Sequence, residues 1–286
     1  MSKATFAAIA AASAAPELQQ QQQQQQKLPP SAPVTSTTPA PTHPAAPSLA
    51  TKSLAGPVDP SGIYQYGFPG PVADTLLSAP LAGAYDRRTR NPAWVAEHIT
   101  PASLAMKNAD RKHSTFYEDT TIPAAFRAKL NDYFRSGYDR GHQVPAADAK
   151  WSQEAMDATF ALTNMCPQVG EGFNRDYWAH FEEFCRGLAK KYPSVRVVTG
   201  PLYLPQRDAD GKWRVSYEVI GNPPNVAVPT HFYKRLTEFE VPVEVVERAS
   251  GLEFVSKLEA NRRKRLCQEI KCDVVVREFN NSAKRN

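Results

Sequence analysis

The chain has only four cysteines in 286 residues, and no two of them form a Cys-x-x-Cys pair. Cys166, Cys185, Cys267 and Cys272 therefore do not have the spacing of a structural zinc site and are expected as thiols. Long apolar runs are missing as well. The longest candidate, Phe6 to Ala15, is short and mostly alanine, far from the roughly 18 apolar residues of a spanning helix, so no integral membrane span is expected. Arginine is absent before Arg87, and acids are absent from Met1 to Pro16. Freedom from acid fits a mitochondrial presequence and lack of arginine does not, whereas Phe6 to Ala15 with Ala12-Ser13-Ala14 also fits a secretory signal. Composition leaves both placements open.

Aromatics are nearly absent from the first 60 residues, which hold only Phe6 of the 28 in the chain but 10 of its 25 prolines. The eight glutamines Gln19 to Gln26 and the Pro/Ala/Ser/Thr-rich stretch to Pro60 offer too little apolar surface to offset the entropy of ordering them. Residues 1–60 are therefore expected to be a disordered low-complexity or targeting segment. No composition break divides the rest, which reads as one domain over 61–250 with a basic extension over 251–286.

The central region also lacks a charge excess. Of the net +5, the first 60 residues carry +1 (three Lys against Glu17 and Asp59), and Asn261 to Asn286 carries +5 (eight Lys/Arg against three acids). That leaves the middle at −1, so bulk charge does not announce a polyanionic partner. A local groove would draw on Arg111, Lys112, Arg140, Lys150 and Arg175. The run Arg262-Arg263-Lys264-Arg265 reads equally as an auxiliary backbone contact or as a solvated helix face.

What is present is Asp139-Arg140-Gly141-His142, followed 32 positions after the histidine by Asn174 within Gly172-Phe173-Asn174-Arg175-Asp176-Tyr177-Trp178. Cleaving a phosphodiester needs a base for water, a divalent cation for the developing oxyanions and an arginine for the phosphate, and these residue types supply all three. Each has a duller reading. His142 could be a packed core histidine, Asp139 and Arg140 a surface ion pair, and Asn174 a helix N-cap contributing about 1 kcal/mol.

Ser136 to His142, Thr163-Asn164-Met165-Cys166-Pro167-Gln168 and Gly172-Phe173-Asn174 occur in order. Together they resemble the DNA/RNA non-specific endonucleases of the ββα-metal type, in particular the endonuclease G group and its fungal members. The resemblance runs from Gly67-Phe68-Pro69-Gly70 to Val228 through Lys234 and extends into the C-terminal Leu266 to Glu269 and Val274 to Phe279. One departure is Val169-Gly170-Glu171-Gly172, which is one residue longer than in animal and bacterial members. The resemblance implies an α+β, ββα-metal nuclease fold with a largely antiparallel sheet flanked by helices. It implies a Mg²⁺-dependent endonuclease, with Mn²⁺ as a possible substitute, acting on single- and double-stranded DNA and RNA. It also implies a homodimer and mitochondrial placement, at the inner membrane or in the intermembrane space.

Roles carried over with the resemblance make His142 the general base and Asn174 the direct metal ligand. Glu182, eight residues on, would hold a metal-bound water. Arg140 and Arg111 would hold phosphate, and Asn164 would orient His142 or the substrate backbone. An idle nucleic-acid-binding module is the rival from outside enzymology, but an idle descendant need not keep His142, Asn174 and Arg140 together. In the local pattern, Thr159 to Thr163 reads as a strand ending at Asn164, beside a strand at Asp139 to His142. Trp178, Phe181, Cys185 and Leu188 read as a helix from Asn174. Val195 to Pro201, Trp213 to Ile220, Asn225 to Tyr233 and Glu238 to Val246 read as strands, with a hairpin turn at Asp210-Gly211.

Overall fold

Among the described residues the strands form one six-stranded antiparallel sheet and three two-stranded ones. A computed structural model describes residues 9–10, 74–233, 242–254 and 266–270. Strands β1 (Ile9–Ala10), β2 (Asp74–Leu77), β3 (Ala82–Asp86) and β4 (Asn91–Ile99) belong to the larger sheet, while β5 (Asp139–His142) and β6 (Met165–Gln168) pair separately. With β7 (Val195–Leu202) the larger sheet runs in the order β1-β7-β4-β3-β2, and His231–Tyr233 also pairs with β7. Every pairing in it is antiparallel.

Along β4, Val95, Glu97 and Ile99 turn inward, and along β7 Val195, Val197 and Thr199 do the same, as a period of two requires. Ile99, Val195 and Val197 then meet Phe181, Cys185 and Leu188 of the helix Ala179–Leu188 in one buried cluster. Each such large side chain contributes about 1.5–3 kcal/mol by leaving water.

The helix expected from Asn174 is present. A π-helical run, Gly170–Trp178, flows into Ala179–Leu188 and breaks only at Glu171 and Gly172. Gly172 has a φ of +76°, a left-handed conformation that a side chain would strain. Two strands and a helix thus form the ββα unit. The α+β, largely antiparallel class holds.

Four expected strands need correction. Thr159 to Thr163 is not a strand: the helix Gln153–Ala158 ends at Thr159, a 3₁₀ turn covers Leu162–Asn164, and β6 starts at Met165. Both threonines are buried and satisfied, Thr159 on the Met156 carbonyl (2.7 Å) and Thr163 on Asp119 (2.9 Å), so polarity there does not mark a solvent face. Glu238 to Val246 is helical from Val243 to Ser250, entered at Pro242 and closed by left-handed Gly251; residues 234–241 lie outside the described set. Trp213 to Ile220 is strand only at Trp213–Arg214 and Val219–Ile220, since exposed residues between them have no face to bury. The turn at Asp210-Gly211 does join Gln206–Arg207 to Trp213–Arg214. Asn225 to Tyr233 splits into Val226–Ala227 and His231–Tyr233 around Pro229, which has no N–H for a ladder.

Of the first 60 residues only Ile9–Ala10 is described, and the expected disorder of the remainder lies outside the described residues. So does the run Arg262 to Arg265, although Leu266 and Ile270 beyond it pack against the Phe181 cluster. Cys166 and Cys185 are buried thiols as expected, but Cys267 is disulfide-bonded, which its spacing in the sequence does not signal. Among the described residues, no helix is long and apolar enough to cross a membrane.

Candidate active site

Pairing of β5 with β6 fixes the Asp-Arg-Gly-His segment in the register Asp139↔Gln168 to His142↔Met165. Alternation sends Arg140 and His142 to one face and Asp139 to the other. Gly141 is required here, because a Cβ would overlap the Gln168 carboxamide packed across the strand pair. The backbone of His142 is pinned from the helix, where the Trp178 indole N–H donates to the His142 carbonyl (3.0 Å).

Two phenylalanines that sequence reasoning passed over assemble this face. Phe116 and Phe160 meet in a tilted pair at 5.0 Å between centroids, and the His142 ring meets Phe160 edge-on at 4.9 Å and Phe116 at 5.6 Å. The Arg140 guanidinium lies 4.5 Å from the Phe116 centroid and that of Arg111 lies 5.5 Å from Phe160. Three expected site residues therefore rest on one aromatic pair, which gives cation–π support to two positive charges beside an imidazole. The short spacing from Arg111 to Phe116 was the available signal for Phe116. Phe160 was hidden inside the misread strand.

On the opposite face, Asp139 receives a two-pronged pair from Arg175 (2.8 and 2.7 Å) and the Asn174 amide N–H (2.9 Å). The ion pair of this segment is thus Asp139 with Arg175 rather than with Arg140. The Arg175 fork and then the Asn174 amide hold the Asp139 carboxyl below the usual carboxylate range, against the opposing effect of burial. The Asn174 carboxamide nitrogen is thus committed to Asp139. Among the described residues its side chain bonds to Asp139 and to no first-turn amide. The Gly172 N–H at the helix entrance is instead taken by Asp176 (2.6 Å).

Asn164 is buried, with 1% exposure, and its amide is used on the main chain. It accepts from Val144 N–H (3.0 Å) and donates to the carbonyls of Val144 (2.9 Å) and Thr159 (2.8 Å). It holds the backbone just after His142. Glu182 is half-buried on the helix, one turn before Arg186. Arg186 pairs with the buried Asp148 at 2.9 Å. Burial works against its charge, but Asp148, Glu182 and Glu97 outweigh it, so its pKa is raised. This buried pair, also missed in the sequence, ties the segment following His142 to the helix that carries Glu182.

Among the described residues no group of three His, Cys, Asp or Glu gathers to cage a metal ion. The donors fit a different kind of ion: one oriented neutral oxygen suits a hard divalent cation that retains most of its waters.

Residues 59–238 match the family model described as DNA/RNA non-specific endonuclease. The chain belongs to that family. It is 57% identical over 259 residues to the mitochondrial nuclease of Saccharomyces cerevisiae, covering 79% of each chain. It is 40% identical over 223 residues to human mitochondrial endonuclease G, covering 68% of this chain and 74% of that one. A solved structure of an EndoG/EndoGI complex, titled for the mechanism of EndoG inhibition, superimposes with a TM-score of 0.63 at 41% identity, covering 71% of this chain and 93% of that chain. This protein is therefore an endonuclease with the endonuclease G fold. The mitochondrial names of its relatives favour the mitochondrial over the secreted placement.

Proposed function

We propose that this endonuclease hydrolyses phosphodiester bonds of DNA and RNA without reading base sequence, as a mitochondrial homodimer, with His142 as the general base. The observation that carries the reading is the convergence of His142, Arg140 and Arg111 on the Phe116–Phe160 pair. The imidazole takes the proton of an attacking water while the two guanidiniums hold phosphate oxygens by charge-assisted hydrogen bonds. The Asn174 carboxamide oxygen would hold Mg²⁺, with Mn²⁺ as a substitute, and Glu182 would orient water beside it. When bound, the cation supplies neutralisation of the charge that develops on the phosphate oxygens. Asn164 positions His142 through the backbone of Gln143 and Val144, accepting the Gln143 N–H on its own carbonyl (3.0 Å).

Every contact in this scheme goes to phosphate or water, so base identity is not read. A water nucleophile needs no ribose 2′-hydroxyl, so deoxyribose is accepted. The test is nicking of a supercoiled plasmid, and cleavage of an RNA, by wild-type and His142→Ala protein with and without EDTA. Wild-type cleavage of both substrates that is abolished by EDTA is expected. Full activity in EDTA, or an undiminished His142→Ala protein, would overturn the scheme.

A further inference from the structure

The short helix Leu130–Tyr133 ends in a knuckle that points two unlike side chains in opposite directions. Tyr133 is buried in the cluster with Leu162 and Met165, while Phe134 next to it stands 66% exposed. Arg135 follows with φ of +55°, a left-handed backbone for a side-chain-bearing residue. The turn is fixed on both sides: Phe134 N–H donates to Asn131 O (3.2 Å) and the Ser136 hydroxyl to Tyr133 O (3.0 Å). Folding gains little from a phenyl ring held in water, and left-handed non-glycine residues concentrate at functional sites. The Arg135 guanidinium lies over the ring, 5.0 Å from its centroid.

Phe134 and Arg135 divide two hollows. One, of about 570 Å³, is lined by both of them together with Asn131, Tyr133, Glu118 and the motif residue Arg140. The other, of about 430 Å³, continues past Ser136 to Val219 and Asn222. The carboxylate in the first hollow is engaged, since Glu118 accepts the Leu130 N–H (3.0 Å). An exposed aromatic face, a cation stacked on it and a shared cavity with a phosphate-holding arginine are the parts of a nucleotide-stacking site.

We infer that Phe134 and Arg135 form a clamp for the nucleotide flanking the phosphate held at Arg140, with its base on the Phe134 ring and its backbone at the Arg135 guanidinium. This rests on the reading of Arg140 as a phosphate residue. Every base has a π-face, so the clamp accepts any sequence, but it needs a base free of its helical neighbours. It therefore selects single strands, gaps and nicks over intact duplex.

The test compares steady-state cleavage of one short oligonucleotide, single-stranded and as duplex, by full-length wild-type, Phe134→Ala, Phe134→Leu and Phe134→Trp proteins. For single strands, Phe134→Ala should raise KM about tenfold, the size of one lost base–aromatic stack, with kcat unchanged. Duplex KM should move far less, and Phe134→Trp but not Phe134→Leu should restore the single-strand value. Arg135→Gln should reduce the salt slope of single-strand binding by about one phosphate contact. A wild-type KM in Phe134→Ala, or rescue by Leu as complete as by Trp, would overturn the clamp; a protein-docking role for the ring would give the first result. An oligonucleotide carrying 2-aminopurine, titrated onto wild-type protein in EDTA, reports stacking without any mutation, and absence of quenching would overturn it as well. Failure of the nuclease scheme itself shows separately, as wild-type protein that cleaves neither substrate.

Discussion

The two ends of one carboxamide separate the readings of Asn174. A helix cap would accept amide hydrogens, yet the side chain donates to Asp139 and the helix entrance is served by Asp176. Asn174→Ala is expected to lower activity and to regain part of it as Mg²⁺ rises. His142→Ala should lose about 10²–10⁴-fold in turnover at every Mg²⁺ concentration, because no cation replaces an imidazole base. Rates of both variants across a Mg²⁺ titration, with melting temperatures, check this; wild-type metal dependence in Asn174→Ala would sink the ligand assignment. Asp139 gives a pH prediction. Its pKa is lowered in the folded state, chiefly by Arg175, so its contribution to stability is complete above the unfolded carboxyl value near about 3.9 and is lost as pH falls through the folded value. Melting temperature of the wild type should therefore drop more steeply on acidification below about pH 4 than that of Asp139→Asn, and parallel curves would contradict it. The candidate site residues could be named from the sequence because each proposed role demands a particular side chain. Their supports, Phe116 and Phe160, were not, since a phenylalanine under an arginine reads the same as one in a core.

At the scale of elements, legibility followed burial. The helix from Asn174 was readable because Trp178, Phe181, Cys185 and Leu188 face a core while Glu183 on the same helix faces water. Thr159 to Thr163 misled because that whole stretch is buried, so alternating polarity there records hydrogen bonds to Met156 and Asp119 rather than two faces of a sheet. The link between elements was invisible altogether: Arg186 and Asp148 are 38 residues apart and meet at 2.9 Å, with Asp148 only 3% exposed. Removing one partner of a buried pair strands the other charge. Arg186→Met is expected to cost about 3 kcal/mol in a denaturant melt, whereas Arg186→Met with Asp148→Leu should recover much of that loss. Two single variants whose losses simply add in the double would show that the pair does not fasten the segment after His142 to the helix.

For the whole molecule, charge is placed at the ends rather than over the catalytic region. The positive excess lies in Asn261 to Asn286, and the middle of the chain is nearly neutral. If Arg262 to Arg265 touches nucleic acid, replacing the four by glutamine should flatten the dependence of binding on salt and leave kcat unchanged, because phosphate contacts release counterions without entering the chemistry. An identical slope would make the run surface charge alone. The opposite end should matter least. The family match starts at residue 59, and the described contact of the first 60 residues with the sheet is the two-residue pairing of Ile9–Ala10 with Val197 and Val198. Two ladder positions contribute on the order of 1–3 kcal/mol at most, and ordering the chain that leads to them opposes that gain. A protein lacking Met1 to Pro60 is therefore expected to unfold in one cooperative transition within a few degrees of the full chain and to nick plasmid at the same rate. Loss of the cooperative transition would place the amino-terminal residues inside the folding unit and move the domain boundary toward Met1.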